Sequence, residues 1–387
     1  MKREPYLVFG SPRIEEDEIA EVVDSLRSGW ISTGPKVARF EEMFRDYIGC
    51  RFARATSSCT AGLHLAMVVA GVEPGDEVIT TPLTFAATAN AILHAGGKPV
   101  FVDIDPHTFN IDPKKIPEKI TARTRAIVPV HLAGRPCPMN SILEIAERHN
   151  LLVIEDAAHA IEAQYHGRKI GTIGDLTVFS FYVTKNLTTG EGGMITTNRA
   201  DWSEAIERFA LHGLSRGAWK RFSDDGFKHY EVVVPGFKYN MMDIQAALGI
   251  HQLGKIEAYQ KRREEIWRRY DEAFTSAPLD LSPLPEENTV HARHLYVVRL
   301  RLDELKINRD GVVEQLHRRG IGTGIHYRAL HLHSYYRETF GLRPEDFPHA
   351  TDYSERAFSL PLSAKLTDRD VEDVIAILTE VLEENRR

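Results

Sequence analysis

The stretch "RAIVPVHLAGRPCPMNSILEIAERHNLLVIEDA" (residues 125–157) has the pattern of a strand, a helix and a second strand. Its two ends, 125–132 and 151–157, are short apolar runs rich in β-branched residues. The segment 141–150 between them has a helical period and ends in asparagine, a common helix stop signal. Two strands joined through a helix usually lie parallel in one sheet. This unit therefore predicts a parallel sheet with a helix packed on its face.

The same alternation extends over residues 52–200. Further strand candidates are 76–81, 98–104, 176–182 and 192–198, and further helix candidates are 60–71 and 85–97. The series predicts an α/β fold in which a mostly parallel sheet is sandwiched by helices. In such sheets ligands bind at the carboxyl ends of the strands, so we expect the functional residues at that edge.

The pattern changes in the last third of the chain. A long amphipathic segment, 243–274, predicts one long helix. Three candidates follow it in order: the proline-rich loop 276–288, a strand at 294–302 and a helix at 310–320. The sequence therefore predicts a large ligand-binding domain, 1–249, and a smaller C-terminal α+β domain, 250–387, joined by the long helix.

Length and charge are those of a globular protein. The chain has 387 residues, 43% of them hydrophobic and 27% charged, and its net charge of -7 is modest for this length. The basic segment "KRREEIWRRY" (261–270) intersperses glutamates at helical spacing, which is typical of a solvated helix face rather than of a stripe that binds phosphates. We expect no nucleic-acid partner.

Cysteine usage and hydropathy favour the cytoplasm. Cys50, Cys59 and Cys137 cannot build a disulfide framework and lack metal-ligand spacing, which fits a reducing compartment. No apolar run approaches the roughly 20 residues that a membrane-spanning helix needs. The N-terminal residues turn acidic before a signal-like segment forms. We expect a cytoplasmic protein with no membrane association.

One lysine stands out in "FSFYVTKNLTTGEGG" (179–193), where Lys185 lies between an aromatic strand-like run and a turn of threonine and glycine. Most lysines lie on solvated helix faces and have no further role, so any evidence that Lys185 is functional must come from the residues around it. Asp156 ends an apolar strand and should emerge at the ligand-binding edge, where a buried carboxylate needs a cationic or hydrogen-bonding partner. The alternative for Asp156 is a helix cap. His159 follows within one turn, and the alternative for it is a structural histidine.

Other candidates lie at the same edge. Ser57, Ser58 and Thr60 precede a helical pattern, where hydroxyls and unpaired N–H groups favour an anion such as phosphate; simple N-capping is the alternative. Phe85 begins a helix directly after a strand, although a lone phenylalanine is usually a core residue. Ser180 alternates with buried aromatic neighbours along its strand and can face a polar site.

The sequence lacks the motifs that several other kinds of site require. "GEGG" (190–193) does not have the order of a P-loop, and no G-x-G-x-x-G follows the early strand, so nucleotide-triphosphate and nicotinamide sites are disfavoured. No histidine base can be assigned to Cys59 as a nucleophile. The three histidines of 326–336 fit no common metal spacing. We expect no metal.

An anion-binding helix start, a strand-end carboxylate, an aromatic platform and a lone lysine match the needs of pyridoxal phosphate. The lysine would form an imine with the cofactor aldehyde, and the carboxylate would keep the pyridinium nitrogen protonated. The aromatic ring would stack on the cofactor, and the phosphate would lie at the helix start.

Three segments also resemble one family: "EDAAHA" (155–160), "FSFYVTKNLTTGEGG" (179–193) and "PGFKYNMMDIQAALG" (235–249) are similar to the DegT/DnrJ/StrS sugar aminotransferases, which are fold-type I pyridoxal-phosphate enzymes. Segments 28–42 and 318–331 agree with it, so the resemblance covers nearly the whole chain. It implies a homodimer with shared active sites. It also implies transfer of an amino group from L-glutamate to a nucleotide-linked sugar, with pyridoxamine phosphate as the intermediate cofactor form.

The resemblance implies a role for each matching position. Lys185 would carry the cofactor, Asp156 would pair with its pyridinium nitrogen, His159 would lie near its phenolic oxygen and Phe85 would stack on its ring. The phosphate would be held by Thr60, Ala61 and Ser180, and by Asn240 of a neighbouring subunit, with Lys238 as the alternative to Asn240. The sugar nucleotide would be approached by Trp30, Ser32, Thr33, His326 and Tyr327.

Within the family, "SGWISTGP" (28–35) and "GIGTGIHYRALHLHSYYRE" (320–338) are similar to the branch that forms UDP-linked 4-amino-4-deoxy-L-arabinose. "KYN" (238–240) replaces the "NYR" of the wider family, as it does in that branch. The resemblance thus favours a UDP-linked 4-keto pentose as substrate and polysaccharide or lipopolysaccharide biosynthesis as the setting. Four alternatives stay open: a 3-keto sugar, a sugar dehydratase, a non-catalytic sensor of nucleotide sugars, and an oxidoreductase on a doubly wound sheet. The family's dehydratases carry histidine in place of Lys185, which counts against the dehydratase.

Overall fold

The strand–helix–strand unit forms as predicted in the computed structural model, which describes residues 2–215 and 230–387. The strands Thr124–Val128 and Leu152–Asp156 are parallel, with Ala126 opposite Leu152. The helix Met139–His149 connects them and ends at Asn150, whose left-handed backbone (φ 53°) is a common way to end a helix.

The described residues contain eleven α-helices, numbered in chain order. They are α1 (Glu16–Ser28), α2 (Pro35–Ile48), α3 (Cys59–Val69), α4 (Ala86–His94), α5 (Met139–His149), α6 (Ala200–Ala210), α7 (Asp243–Phe274), α8 (Arg309–Arg318), α9 (Ser334–Phe340), α10 (Pro348–Arg356) and α11 (Asp368–Glu384). None of these helices has the length and apolar character that crossing a membrane requires.

The same residues contain twelve strands. They are β1 (Phe52–Thr56), β2 (Glu77–Thr80), β3 (Lys98–Phe101), β4 (Thr124–Val128), β5 (Leu152–Asp156), β6 (Gln164–Tyr165), β7 (Arg168–Lys169), β8 (Leu176–Ser180), β9 (Gly193–Thr197), β10 (Leu279–Asp280), β11 (Tyr296–Leu300) and β12 (Ala357–Leu360).

Seven strands form the main sheet, in the order β1-β9-β8-β5-β4-β2-β3. The pairings from β8 through to β3 are parallel, which confirms the predicted mostly parallel sheet. β9 pairs antiparallel with both of its neighbours. β1 is not among the predicted strands, because its sequence "FARAT" is short and carries an arginine within a weak apolar pattern.

Helices cover both faces of this sheet, as predicted. Successive strand side chains point to opposite faces. Ile79 and Ile127 therefore face a core built with α2, α5 and the first half of α7. Their neighbours Val78 and Val128 face a second core built with α3, α4 and α6.

The C-terminal part has its own sheet and core. Strands β10, β11 and β12 form a three-stranded antiparallel sheet. Trp267 and Tyr270 of α7 pack with α8, α11 and this sheet, and so does Leu7 from the N-terminal segment. The predicted boundary between residues 249 and 250 falls inside α7, and the division into two domains stays a prediction.

Candidate active site

A cavity of about 510 Å³ opens at the carboxyl ends of the parallel strands. Asp156 is the last residue of β5 and Ser180 the last of β8, while Phe85 and His131 follow β2 and β4. The strand ends bring these side chains together because parallel strands end at one edge of the sheet.

Asp156 lies buried in the wall of this cavity. Its Oδ2 accepts a hydrogen bond of 2.7 Å from the Thr88 hydroxyl, and its Oδ1 accepts one of 3.1 Å from the Ala158 backbone N–H. Burial raises the pKa of the carboxyl, and the bonds from Thr88 and Ala158 oppose that effect. The alternative of a helix cap is not realised, since residues 157–163 form turns and a short strand does not begin until Gln164.

Lys185 lies in the loop after β8 and its side chain lines the same cavity. Burial lowers the pKa of its amine to about 8, although Cys59 and Asp156 act in the opposite direction. An amine of this pKa is partly unprotonated near neutral pH, which both a nucleophile and a base require.

Each ring nitrogen of His159 has a hydrogen-bond partner, one from the backbone and one from a tyrosine. The Ala133 N–H donates to its Nδ1 at 3.2 Å, and its Nε2 lies 3.1 Å from the Tyr327 hydroxyl. Burial, with the charge of Lys185, holds the pKa of His159 well below its usual range. The ring of Phe85, 61% exposed at the cavity, lies 5.9 Å from the Tyr327 ring.

His326 completes this side of the cavity. Its Nδ1 lies 2.9 Å from the Ser359 hydroxyl, and burial lowers its pKa to about 4. His326 therefore contributes a neutral ring.

The start of α3 also lines the cavity, through Ser58, Cys59 and Thr60. The Ser58 hydroxyl accepts a hydrogen bond of 3.1 Å from the Ala61 N–H, so N-capping occurs at Ser58. The N–H groups of Cys59 and Thr60 lie in the first turn, where a helix offers no intrahelical partner. Gly193 allows this end to approach β9, since a Cβ there would lie 2.7 Å from the Cys59 nitrogen. The helix start can therefore bind an anion and be capped at once.

Not every predicted residue reaches this cavity. Ser58 lines it, and so do eight of the residues to which the resemblance gives a role: Thr60, Phe85, Asp156, His159, Ser180, Lys185, His326 and Tyr327. Ala61 is buried in α3 behind them. Five lie elsewhere: Trp30, Ser32, Thr33, Lys238 and Asn240.

Thr33 and Asn240 line a second cavity of about 200 Å³. The Asn240 amide donates to the Thr33 hydroxyl at 2.6 Å, while its Oδ1 is buried without a hydrogen-bond partner among the described residues. The side chains of Trp30, Ser32 and Lys238 are exposed.

The structure adds residues that the sequence analysis missed. Thr88 lies one helical turn after Phe85, a spacing that could have revealed it. His294 lines the cavity and packs against His159 with ring centroids 4.5 Å apart. No local pattern marks His294, because its partners come from distant parts of the chain.

The family follows from a comparison with known proteins. The model of the DegT/DnrJ/EryC1/StrS aminotransferase family matches residues 12–379. The chain belongs to this family. Its fold is that of the fold-type I pyridoxal-phosphate aminotransferases, as the resemblance implied.

Three relatives illustrate the match. The spore coat polysaccharide biosynthesis protein SpsC of Bacillus subtilis is 48% identical over 382 residues, which are 98% of both chains. The structure of Spr1654 of Streptococcus pneumoniae in its pyridoxal-phosphate form, a candidate sugar aminotransferase, superposes with a TM-score of 0.91 at 34% identity, covering 98% of this chain and 99% of that one. PseC of Helicobacter pylori, an aminotransferase of pseudoaminic acid biosynthesis, superposes with a TM-score of 0.90 at 29% identity over 98% of this chain and 100% of its own.

The chain is thus a sugar aminotransferase whose cofactor is pyridoxal phosphate. The cavity fits this cofactor. It offers an amine of lowered pKa at Lys185, a buried carboxylate at Asp156 and a helix start for a phosphate.

Proposed function

We propose that this sugar aminotransferase moves an amino group from L-glutamate to a nucleotide-linked 4-keto sugar, with a UDP-linked 4-keto pentose as the first candidate. The observation that carries the reaction is the cavity wall that holds both the Lys185 amine and the Asp156 carboxylate. The sugar is supported by the likeness of "SGWISTGP" (28–35) and "GIGTGIHYRALHLHSYYRE" (320–338) to the 4-amino-arabinose branch. The names of SpsC and PseC, both from the biosynthesis of sugars or polysaccharides, support the setting.

The residues divide the chemistry among them. When bound, the cofactor supplies an aldehyde that takes up the amino group and a ring that delocalises the electron pair left by a departing proton. Lys185 Nζ takes the proton from the amino-bearing carbon of the donor and returns one to the former carbonyl carbon of the sugar. Its pKa of about 8 allows both steps near neutral pH.

The remaining residues bind and orient the cofactor. Asp156 holds the proton of the ring nitrogen, which Thr88 assists by keeping the carboxylate in place. Phe85 covers the ring face and excludes water. The Thr60 N–H and the Ser180 hydroxyl bind the phosphate, and the Ala61 N–H joins them when it leaves the Ser58 hydroxyl that it donates to in the structure.

We also propose a homodimer whose copies complete each other's sites. Among the described residues that line the large cavity, Lys185 is the only lysine or arginine. Glutamate and a nucleotide sugar each carry at least two negative charges, so further donors must reach the site. Asn240, with Lys238 as the alternative, would serve the phosphate of the neighbouring copy, because its amide nitrogen gives one proton to the Thr33 hydroxyl and has a second to donate.

The neighbouring copy would also supply three residues that approach the sugar nucleotide: Trp30, Ser32 and Thr33.

The compartment we propose is the cytoplasm. The free cysteines Cys50, Cys59 and Cys137 agree with a reducing compartment.

The substrate is tested by single turnover. The enzyme is loaded as pyridoxamine phosphate and mixed with UDP-, GDP- and dTDP-linked sugars that carry the ketone at C3 or C4, while the absorbance of the aldehyde form is followed. We expect a fast return of that absorbance with 4-keto sugars, and mass spectrometry of the product should show an amine in place of the ketone. Reaction with 3-keto sugars alone, or loss of a hydroxyl without gain of an amine, would overturn the proposal.

The role of Lys185 is tested by substitution. Lys185→Ala should abolish turnover and prevent borohydride from fixing the cofactor to the chain. Lys365, an exposed lysine remote from the cavity, provides the control Lys365→Ala, which should leave both unchanged. Wild-type turnover by Lys185→Ala would contradict the assignment.

A further inference from the structure

The side chain of Asn186, next to Lys185, is held in one orientation. Its Nδ2 donates to the Glu162 carboxylate at 2.8 Å and to the Ala292 backbone carbonyl at 2.9 Å. A backbone carbonyl only accepts, so the amide nitrogen must face Ala292 and the amide oxygen must face away from it. That oxygen, Oδ1, lies 2.9 Å from Nδ1 of His294. The proton in this contact therefore belongs to His294 Nδ1.

A buried ion pair keeps Asn186 in place. Arg263 of α7 pairs with the other oxygen of Glu162, and only 3% and 2% of these two residues are exposed. If the Asn186 amide turned by 180°, its oxygen would face the Glu162 carboxylate and the Ala292 carbonyl. These three acceptors would then be buried without a donor, which is energetically costly. Asn186 thus sets the tautomer of His294.

His159 is locked in the opposite tautomer. The Ala133 backbone N–H donates to Nδ1 of His159, so that nitrogen carries no proton in the neutral ring. The proton lies on Nε2, which donates to the Tyr327 hydroxyl oxygen. The hydroxyl proton of Tyr327 is then available to another acceptor.

Both imidazoles are neutral in this setting. Burial and the charge of Lys185 hold the pKa of His159 and of His294 well below the usual range. Burial raises the pKa of Tyr327, so its hydroxyl stays protonated. A neutral His294 with its proton on Nδ1 has a bare Nε2, and both His294 and Tyr327 line the cavity.

We propose that Tyr327 and His294 together recognise an α-hydroxyketone in the sugar: the Tyr327 hydroxyl donates to the keto oxygen, and His294 Nε2 accepts from the hydroxyl on the neighbouring carbon. A ketone can only accept and a hydroxyl can donate, so one fixed donor beside one fixed acceptor matches this pair of groups. His159 links the two groups: its Nε2 lies 3.1 Å from the Tyr327 hydroxyl, its ring centroid lies 4.5 Å from that of His294, and Tyr327 and His294 line the same cavity. Asn186 is a positioning residue that acts through His294. The inference rests on the proposed function and deepens it.

A substrate–variant cycle tests the acceptor. The probes are a UDP-linked 4-keto sugar with a hydroxyl at C3 and its 3-deoxy counterpart. Wild-type kcat/KM should favour the hydroxylated probe by roughly tenfold to a hundredfold, because the deoxy sugar leaves His294 Nε2 unpaired. His294→Leu should lose this preference, measured as the ratio of kcat/KM for the two probes in the same variant, while His294→Gln, which retains an acceptor, should recover part of it. A preference that His294→Leu leaves unchanged would overturn the inference.

A second measurement does not depend on turnover. Nitrogen-15 spectra of histidine-labelled, cofactor-loaded enzyme distinguish the two neutral tautomers. We expect a proton on Nδ1 for the signal that His294→Leu removes, and a shift of that signal toward the other tautomer in Asn186→Leu. A proton on Nε2 of His294 in the wild type would overturn the inference even if 4-keto sugars are aminated. If the wild-type enzyme shows the expected tautomers but aminates neither probe, the proposed function is overturned, and the inferred recognition of the sugar is overturned with it.

Discussion

The Thr88 hydroxyl donates a 2.7 Å hydrogen bond to Oδ2 of Asp156 in the buried wall of the cavity. Thr88 lies in the first turn of α4, whose N-cap is Phe85. The proposed platform for the cofactor ring and the donor that supports the acid therefore come from the same helix end. The Thr84 hydroxyl, which belongs to a residue that lines the cavity, lies 2.8 Å from that of Thr88.

Thr88→Val should weaken catalysis without removing the acid. The loss of one donor raises the pKa of the Asp156 carboxyl further, because the hydrogen bond from Thr88 opposes the effect of burial. Removing a hydrogen bond to a charged acceptor typically costs about 1.5–3 kcal/mol, so we expect kcat to fall by roughly tenfold to a hundredfold. Thr88→Ser retains the hydroxyl and should stay close to the wild type in kcat and in cofactor affinity. Equal rates for the valine and serine variants would contradict this role.

The amine of Lys185 should react with the cofactor at unusually low pH. Only the unprotonated amine attacks an aldehyde, and burial lowers the pKa of Lys185 to about 8. Below that pH the rate at which apoprotein captures pyridoxal phosphate should rise about tenfold per unit, and above it the rate should level off. Stopped-flow absorbance from pH 6 to 9.5 measures this. N-acetyl-lysine amide, treated identically, should show a rate that still rises at the upper limit, and a protein profile of the same shape would refute the prediction.

The positions of Asp156, Ser180 and Lys185 could be predicted from the sequence because each depends on local pattern. An apolar run of β-branched residues specifies a strand, and the carboxyl end of a parallel strand specifies an edge of the sheet. Once β5 and β8 are placed next to each other, the residues that end them or follow them must meet. No information from outside this part of the chain is needed.

His294 and the orientation of Asn186 could not be predicted in this way. The contact between them joins two side chains 108 positions apart, and the tautomer of His159 depends on one backbone N–H at Ala133. Neither leaves a periodic signal in the sequence. The sequence also could not predict that Trp30 and Asn240 lie away from the large cavity. The resemblance implied a site shared between two copies, and a pattern within one chain does not show which residues serve the other copy.

Gly193→Ala should damage the phosphate end of the site. A Cβ at Gly193 would lie 2.7 Å from the Cys59 nitrogen and 2.8 Å from the Ser58 carbonyl group, so the start of α3 must move away from β9. We expect cofactor affinity to fall by at least tenfold and stability to fall by about 1–3 kcal/mol. Fluorescence titration with pyridoxal phosphate and urea unfolding measure the two effects. Gly254→Ala, in α7 with open space around the new Cβ, should be neutral or slightly stabilising, and a similar loss in both variants would exclude the proposed steric cause.

Arg263→Met should destabilise the enzyme strongly. The substitution leaves the Glu162 carboxylate buried without its cation, and burial already raises the pKa of that carboxyl. A broken pair of this kind typically costs about 3–5 kcal/mol in the free energy of unfolding, which urea titration of the holoenzyme measures.

Two further variants separate the buried charge from a general effect of losing an arginine. Arg318→Met removes an exposed i,i+4 pair with Glu314 and should change stability by less than about 0.5 kcal/mol, because water already solvates both groups. Adding Glu162→Met to Arg263→Met removes the unpaired carboxylate and should recover part of the lost stability. The recovery should be incomplete, since the Asn186 amide also loses an acceptor. If the double variant were less stable than Arg263→Met alone, packing around α7 rather than the unpaired charge would be the cause.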